Sequence, residues 1–349
     1  MKKRKALFMT ALLAVAFGLT ALVAVFAEKK EETEGLLCVT SFYPVYLLAD
    51  SVAEGAQDVT VKNLTENHGG CIHDYTLTTQ DMRLLSEAEL FLINGGEMEL
   101  FLEGVAENYR DLVVVDTSEG YEFLEGVEHS HDHGHAADAH EEEHEEYSEE
   151  GEHGDEDGHN AQDHAHAING HVWLDIEGYL MQLSAVEEAF VAADPAQEAL
   201  YRKNADACRT ELLALAAEFE TAKAELSGKE TVVFHEGFVY LFHMLGIETV
   251  HCLAMDSDTQ ISAGEAAEII EECKLHGIVT LFSEADYAKT VADTFAGEIG
   301  GEVVVLNPIT GEVGLAQDAN EEFTGSGVTL YCDLMRENLE IIRQAYGVQ

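Results

Sequence analysis

Basic side chains are scarce in this chain. Of its 349 residues, 18 are Lys or Arg and 68 are Asp or Glu, for a formal charge of −50. Such a surface repels a phosphate backbone, so nucleic acid is excluded as a partner, and it suits an extracytoplasmic protein that attracts cations. No Lys or Arg falls between Arg110 and Arg202, so the negative field is strongest there. Several chemical signatures are missing as well. Without a GxxxxGK[ST] run the chain has no phosphate cradle, and any driven process needs another protein to supply the energy. Outside the His-rich segment at 128–166 no HExxH occurs, and no GxSxG occurs anywhere, so the folded part lacks the general base of a zinc hydrolase on a ligand-bearing helix and the nucleophile elbow of a serine hydrolase. Cys38, Cys71, Cys208, Cys252, Cys273 and Cys332 form no CxxC pair, which removes the zinc-ribbon and thioredoxin readings. An exported chain permits disulfides, but small buried thiols are at least as good a reading for most of the six.

Histidine and acid are what the chain has in excess. Residues 128–166 carry His129, His131, His133, His135, His140, His144, His153, His159, His164 and His166 among Glu and Asp. With too few apolar residues to bury, this segment reads as an acidic, disordered loop. Imidazole is the commonest metal ligand in proteins, so the loop reads as an auxiliary metal-capturing segment. Folded sequence resumes at Asn169-Gly170-His171-Val172-Trp173-Leu174-Asp175.

The start reads Met1-Lys2-Lys3-Arg4-Lys5, then an apolar run ending Val25-Phe26-Ala27. Residues 1–27 therefore read as a secretory signal peptide or, at roughly 20 residues for a helical span, an uncleaved membrane anchor. Cys38 lies inside an apolar strand, too far along to attach a lipid convincingly. The rest divides into an N-terminal α/β lobe (35–193, with the loop inside it), a linker helix (194–228) and a C-terminal α/β lobe (229–349). In the first lobe, apolar strands at 36–41, 59–64, 89–94 and 112–116 alternate with helices at 43–54, 78–88 and 97–108. In the second, strands at 231–235, 248–253, 278–283 and 302–306 alternate with helices near 238–245, 263–276, 288–299 and 329–346. That alternation predicts an α/β fold with a four-stranded parallel sheet, flanked by helices, in each lobe. Asp194-Pro195 is a helix start, and nothing breaks the periodicity before Leu226, so a long rigid helix should join the lobes.

Open α/β sheets bind ligands beyond the carboxyl ends of their strands. Three histidines outside the loop fall at such places. His73 follows the second strand, His171 lies in the resumed segment and His235 ends the strand at 231–235. A lone histidine there is usually structural, but three, two from one lobe and one from the other, point to a metal site in the cleft between lobes.

These residues also carry a resemblance. Gly70-Cys71-Ile72-His73-Asp74-Tyr75, followed by Asp81-Met82 and the run to Asn94-Gly95, resembles the first metal motif of the zinc and manganese ABC-transporter solute-binding proteins, the cluster A-I metal-binding family. Asn169-Gly170-His171-Val172-Trp173-Leu174 resembles their second motif, and Phe234-His235-Glu236-Gly237-Phe238 their third. The acidic His-rich loop precedes the second motif, as in the zinc-specific members. The resemblance extends from Leu36 to the end. It implies that His73, His171 and His235 bind the metal directly, and that the chain is a binding protein rather than an enzyme. Some members place Glu just before the first His, where this chain has Ile72. Others place Asp after the last strand, where this chain has Asn307. The fourth position then falls to water, to Asn307 or to Glu284, whose other role would be to orient a ligating imidazole. Three imidazoles favour Zn²⁺ over Mn²⁺. The implied function is capture of extracytoplasmic Zn²⁺ by a monomer, with delivery to an ABC permease and its ATPase. The alternatives are a manganese or iron importer of the same fold and a zinc-storage or adhesin surface protein.

Overall fold

The computed structural model describes residues 35–66, 68, 70–73, 75–102, 105–109, 111–126, 168–253, 261–285, 287–311 and 327–348. The expectations for residues 1–27 and for the His-rich segment at 128–166 lie outside the described residues. In chain order the first lobe contains β1 (Leu36–Thr40), α1 (Tyr43–Ala53), β2 (Val59–Asn63), α2 (Thr79–Glu87), β3 (Leu90–Ile93), the short α3 (Val105–Asn108) and β4 (Val113–Asp116). Then come α4 (Ile176–Ala193) and the long α5 (Glu198–Leu226). The second lobe holds β5 (Glu230–Val233), α6 (Phe238–Met244), β6 (Glu248–Cys252), α7 (Ala263–His276), β7 (Thr280–Ser283), α8 (Tyr287–Ile299), β8 (Glu302–Val305) and α9 (Gly327–Ala345).

Both sheets are four-stranded and parallel, in the orders β2-β1-β3-β4 and β6-β5-β7-β8. The order follows from where the apolar side chains sit. β3 is buried along its whole length and β1 over its last three residues, whereas β2 alternates and β4 is largely exposed, as edge strands do. Each sheet reverses its winding between its two central strands, and loops that leave the carboxyl ends there open a crevice.

The largest apolar core runs through both lobes, with a smaller one in each lobe. The largest includes Phe42 just before α1, Leu48 of α1, Tyr179 of α4, Phe238 and Leu241 of α6, Phe282 of β7, and Tyr331 and Leu339 of α9. The long helix takes part through Tyr201, Ala205, Cys208, Leu212, Leu215, Phe219, Ala222 and Leu226. These positions alternate in steps of four and three, the spacing that keeps one seam of a helix against its neighbours. At 1.5 Å per residue the 29-residue helix spans about 43 Å, with its seam over α1, α4 and α9. The C-terminal helix crosses back to the first lobe, where Gly327 abuts the Leu47 backbone and Val328 N–H donates to Ser51 Oγ at 2.9 Å.

Some local expectations need correction. The continuous helix expected at 97–108 is instead a 3₁₀ turn (Leu100–Leu102) and the single-turn α3. Gly95, Gly96 and Glu97 all take positive φ (81°, 61° and 62°), so the chain turns sharply after β3. The linker helix begins with a 3₁₀ turn at Pro195–Gln197, because the Asp194 carboxylate accepts from Ala196 N–H and from the Tyr201 hydroxyl. The sequence reading missed α4, capped by Asp175, which packs along α5. The strand expected at 231–235 is β5, which ends at Val233, although Phe234 N–H still donates to Phe282 O.

Candidate metal centre

The loop after β2 is pinned from both sides. Ile72 is fully buried, and Tyr75 N–H donates to Ile72 O at 3.1 Å. The Tyr75 hydroxyl in turn donates to Asp81, whose carboxylate forms a capping box with Thr78 at the start of α2. With Ile72 in the core, its neighbours Cys71 and His73 face the second and third motifs. Cys71 Sγ lies 3.3 Å from His171 Nε2 and 3.2 Å from His235 Nε2, and the His73 ring is 5.3 Å from the His171 ring.

His171 is set by what surrounds it. Val172, Trp173 and Leu174 form a fully buried 3₁₀ turn, which leaves the preceding imidazole at the rim of the core. Asn169 fixes the ring. Its Nδ2 donates to Glu236 O at 2.9 Å, so its Oδ1 is the atom 2.9 Å from His171 Nδ1. Nδ1 therefore carries the proton and donates it, and the lone pair of Nε2 points at the cluster. His235, two residues beyond β5, packs its ring 4.9 Å from His171 and 4.8 Å from Phe238. Gly237 makes this packing feasible. A Cβ there would stand 2.8 Å from Leu174 Cδ1, 2.9 Å from His235 Cε1 and 3.0 Å from His171 Cδ2.

Beneath the cluster lies a polar frame. Glu99 Oε1 accepts from Ser41 Oγ at 2.6 Å and from Asn94 N–H at 2.7 Å, and Oε2 accepts from Gly95 N–H at 3.1 Å. Asn94 Nδ2 donates to Gly170 O at 3.0 Å, beside His171, and Gln182 donates to Asn94 Oδ1 at 3.1 Å. Burial pushes the Glu99 carboxyl up to about 7, against the pull of these three hydrogen bonds.

The structure thus gathers His171 and His235 with Cys71, their donor atoms all within 4.8 Å of one another, and sets His73 alongside. Two neutral imidazoles and a sulfur at such spacing form a donor set suited to a borderline-soft divalent ion. Glu284 lies at the margin, with Oε2 4.0 Å from His235 Nε2. The Asn307 side-chain oxygen is occupied in its own loop, where it accepts from Ile309 N–H at 2.8 Å. The auxiliary histidines of 128–166 lie outside the described residues. Cys71 is the residue that sequence reasoning overlooked. Its signal is its place two residues before His73 in a short loop; unlike Cys38, Cys208, Cys273 and Cys332 it is not a buried thiol.

Residues 38–345 match the family model described as "Zinc-uptake complex component A periplasmic". The zinc-binding protein AdcA of Streptococcus pyogenes serotype M3 is 27% identical over 345 residues, 98% of this chain and 61% of that protein, so the chain spans about three fifths of that relative's length. The high-affinity zinc uptake system protein ZnuA of Bacillus subtilis is 27% identical over 315 residues, 89% of this chain and 88% of that one. Among solved structures, the metal-dependent lipoprotein YcdH of Bacillus subtilis superposes with a TM-score of 0.65 at 23% identity, covering 89% of this chain and 98% of that one, and so shares the two-lobe fold. The chain belongs to the family of periplasmic A components of zinc-uptake complexes.

Proposed function

We propose that this protein captures Zn²⁺ outside the cytoplasm in the cleft between its lobes and hands it to an ABC permease driven by a separate ATPase. His73, His171 and His235 are the imidazole ligands in this reading, and the observation that carries it is their convergence from three loops of two sheets. His171 and His235 are 2% and 7% exposed, so a bound ion is largely shielded from water there. The two relatives described above are named for zinc: AdcA is zinc-binding and ZnuA belongs to a zinc uptake system. The role is binding rather than turnover, and the working unit is a monomer that docks on its permease. Export rests on residues 1–27; no helix among the described residues is long and apolar enough to cross a membrane. The His-rich segment at 128–166 supplies auxiliary, weaker capture.

Calorimetric titration of the exported portion, stripped of metal with a chelator, tests the reading. One tight Zn²⁺ site should survive deletion of 128–166 and disappear in His171→Ala, and Mn²⁺ should compete poorly. Tight binding that vanishes with the loop deletion would overturn the cleft assignment. Because the ligands are neutral imidazoles, affinity should fall as pH drops through about 6.5.

A further inference from the structure

We propose that Cys71 is the fourth protein ligand of this site, bound as a thiolate, so that the ion sits among three imidazoles and one sulfur. The inference rests on the reading of the cleft as a metal site and specifies its donor set. Three observations carry it. Cys71 Sγ is 3.2–3.3 Å from the Nε2 atoms of both His171 and His235, equidistant from the two buried rings that come from different lobes. The tautomer imposed by Asn169 leaves the His171 Nε2 lone pair facing that sulfur, which suits two donors turned toward one ion. The other contenders stand off. Ile72, next to His73, is apolar and fully buried, Asn307 is engaged with Ile309, and Glu284 Oε2 lies 4.0 Å from His235 Nε2.

A thiolate changes what the site selects. Three neutral imidazoles leave the full double charge on the ion, whereas a thiolate cancels half of it inside a partly buried cleft. A sulfur ligand also favours Zn²⁺ and other soft or borderline ions and disfavours Mn²⁺, which prefers oxygen. Binding releases the thiol proton to solvent as the S–metal bond forms, with no oxidant or reductant required. Glu284 then has the task of accepting a hydrogen bond near His235 rather than a place on the ion.

The test is Co²⁺ substitution of the metal-free protein, read by absorption, with Zn²⁺ affinity measured in parallel. The unaltered protein should show an intense thiolate-to-cobalt charge-transfer band in the near ultraviolet, abolished by Zn²⁺. Cys71→Ser should remove the band and weaken Zn²⁺ binding at least about tenfold, whereas Cys252→Ser and Glu284→Gln should leave the band in place. A second measurement on the unaltered protein covers a Cys71→Ser variant that folds poorly: Zn²⁺ should protect Cys71 from alkylation by iodoacetamide, read by peptide mass. If Co²⁺ and Zn²⁺ bind tightly without the band, or without protecting Cys71, the thiolate assignment is wrong while the cleft reading stands. Loss of the band in Glu284→Gln but not in Cys71→Ser would also overturn it. Absence of any tight Zn²⁺ or Co²⁺ binding would instead sink the underlying reading of the cleft.

Discussion

Glu99→Gln probes the polar frame beneath the cluster through the pH dependence of stability. The carboxyl has an ordinary value of 4.5, and burial in the folded protein raises it to about 7. Between those values the folded state binds more protons than the unfolded one, so this group's contribution is complete below about pH 4.5 and is lost as pH rises through about 7. The linkage relation makes the loss about 2–3 kcal/mol between pH 5 and pH 8. The substitution removes that dependence. It also turns an amide N–H toward Gly95 N–H, which now donates to Glu99 Oε2, and a mismatched buried donor costs about 1–3 kcal/mol at every pH. Urea unfolding of the metal-free proteins across this pH range should therefore find Glu99→Gln less stable at pH 5, with the gap narrowing by about 2–3 kcal/mol toward pH 8. A gap that stays constant or widens with pH would refute the reasoning.

Gly237→Ala introduces a Cβ within 3.0 Å of Leu174 and of both imidazoles, so it should cost about 1–3 kcal/mol in a thermal melt and weaken Zn²⁺ binding in calorimetry without removing a donor atom. Asn169→Ala frees the His171 ring to take the other tautomer and should lower Zn²⁺ affinity about 10–100-fold by the same titration. Arg202 pairs with Glu187, Glu188 and Glu198 at the surface, where its side chain is 40% exposed. Arg202→Ala should therefore barely move the urea midpoint, and less still in high salt.

Much of the architecture was legible because local and global signals agree. Central strands such as Leu90–Ile93 are unbroken apolar runs, Thr78 and Asp81 mark a helix start, and the residues joining the lobes lack any helix breaker before Leu226. The histidines were legible through their position at strand ends. What stayed hidden depended on contacts distant in sequence. Residues 97–108 have helical composition, yet the Glu99 carboxylate draws the chain back onto Asn94 and Gly95 and forces a left-handed turn. Cys71 stands within the first motif, but only the fold brings its sulfur to histidines 100 and 164 residues away. The crossing of α9 onto α1 is likewise invisible in periodicity, which reports a buried face without naming what covers it.

Trp173 is the only tryptophan in the chain, and its ring sits 5.0 Å from the His171 ring and 4.9 Å from Phe42. Its Nε1 donates to Pro308 O at 2.9 Å, in the other lobe. One fluorophore therefore touches a proposed ligand and both halves of the molecule. Its emission is a built-in optical gauge, needing no label: a change confined to the imidazole should alter its intensity, whereas parting of the lobes should break the indole hydrogen bond and shift its colour.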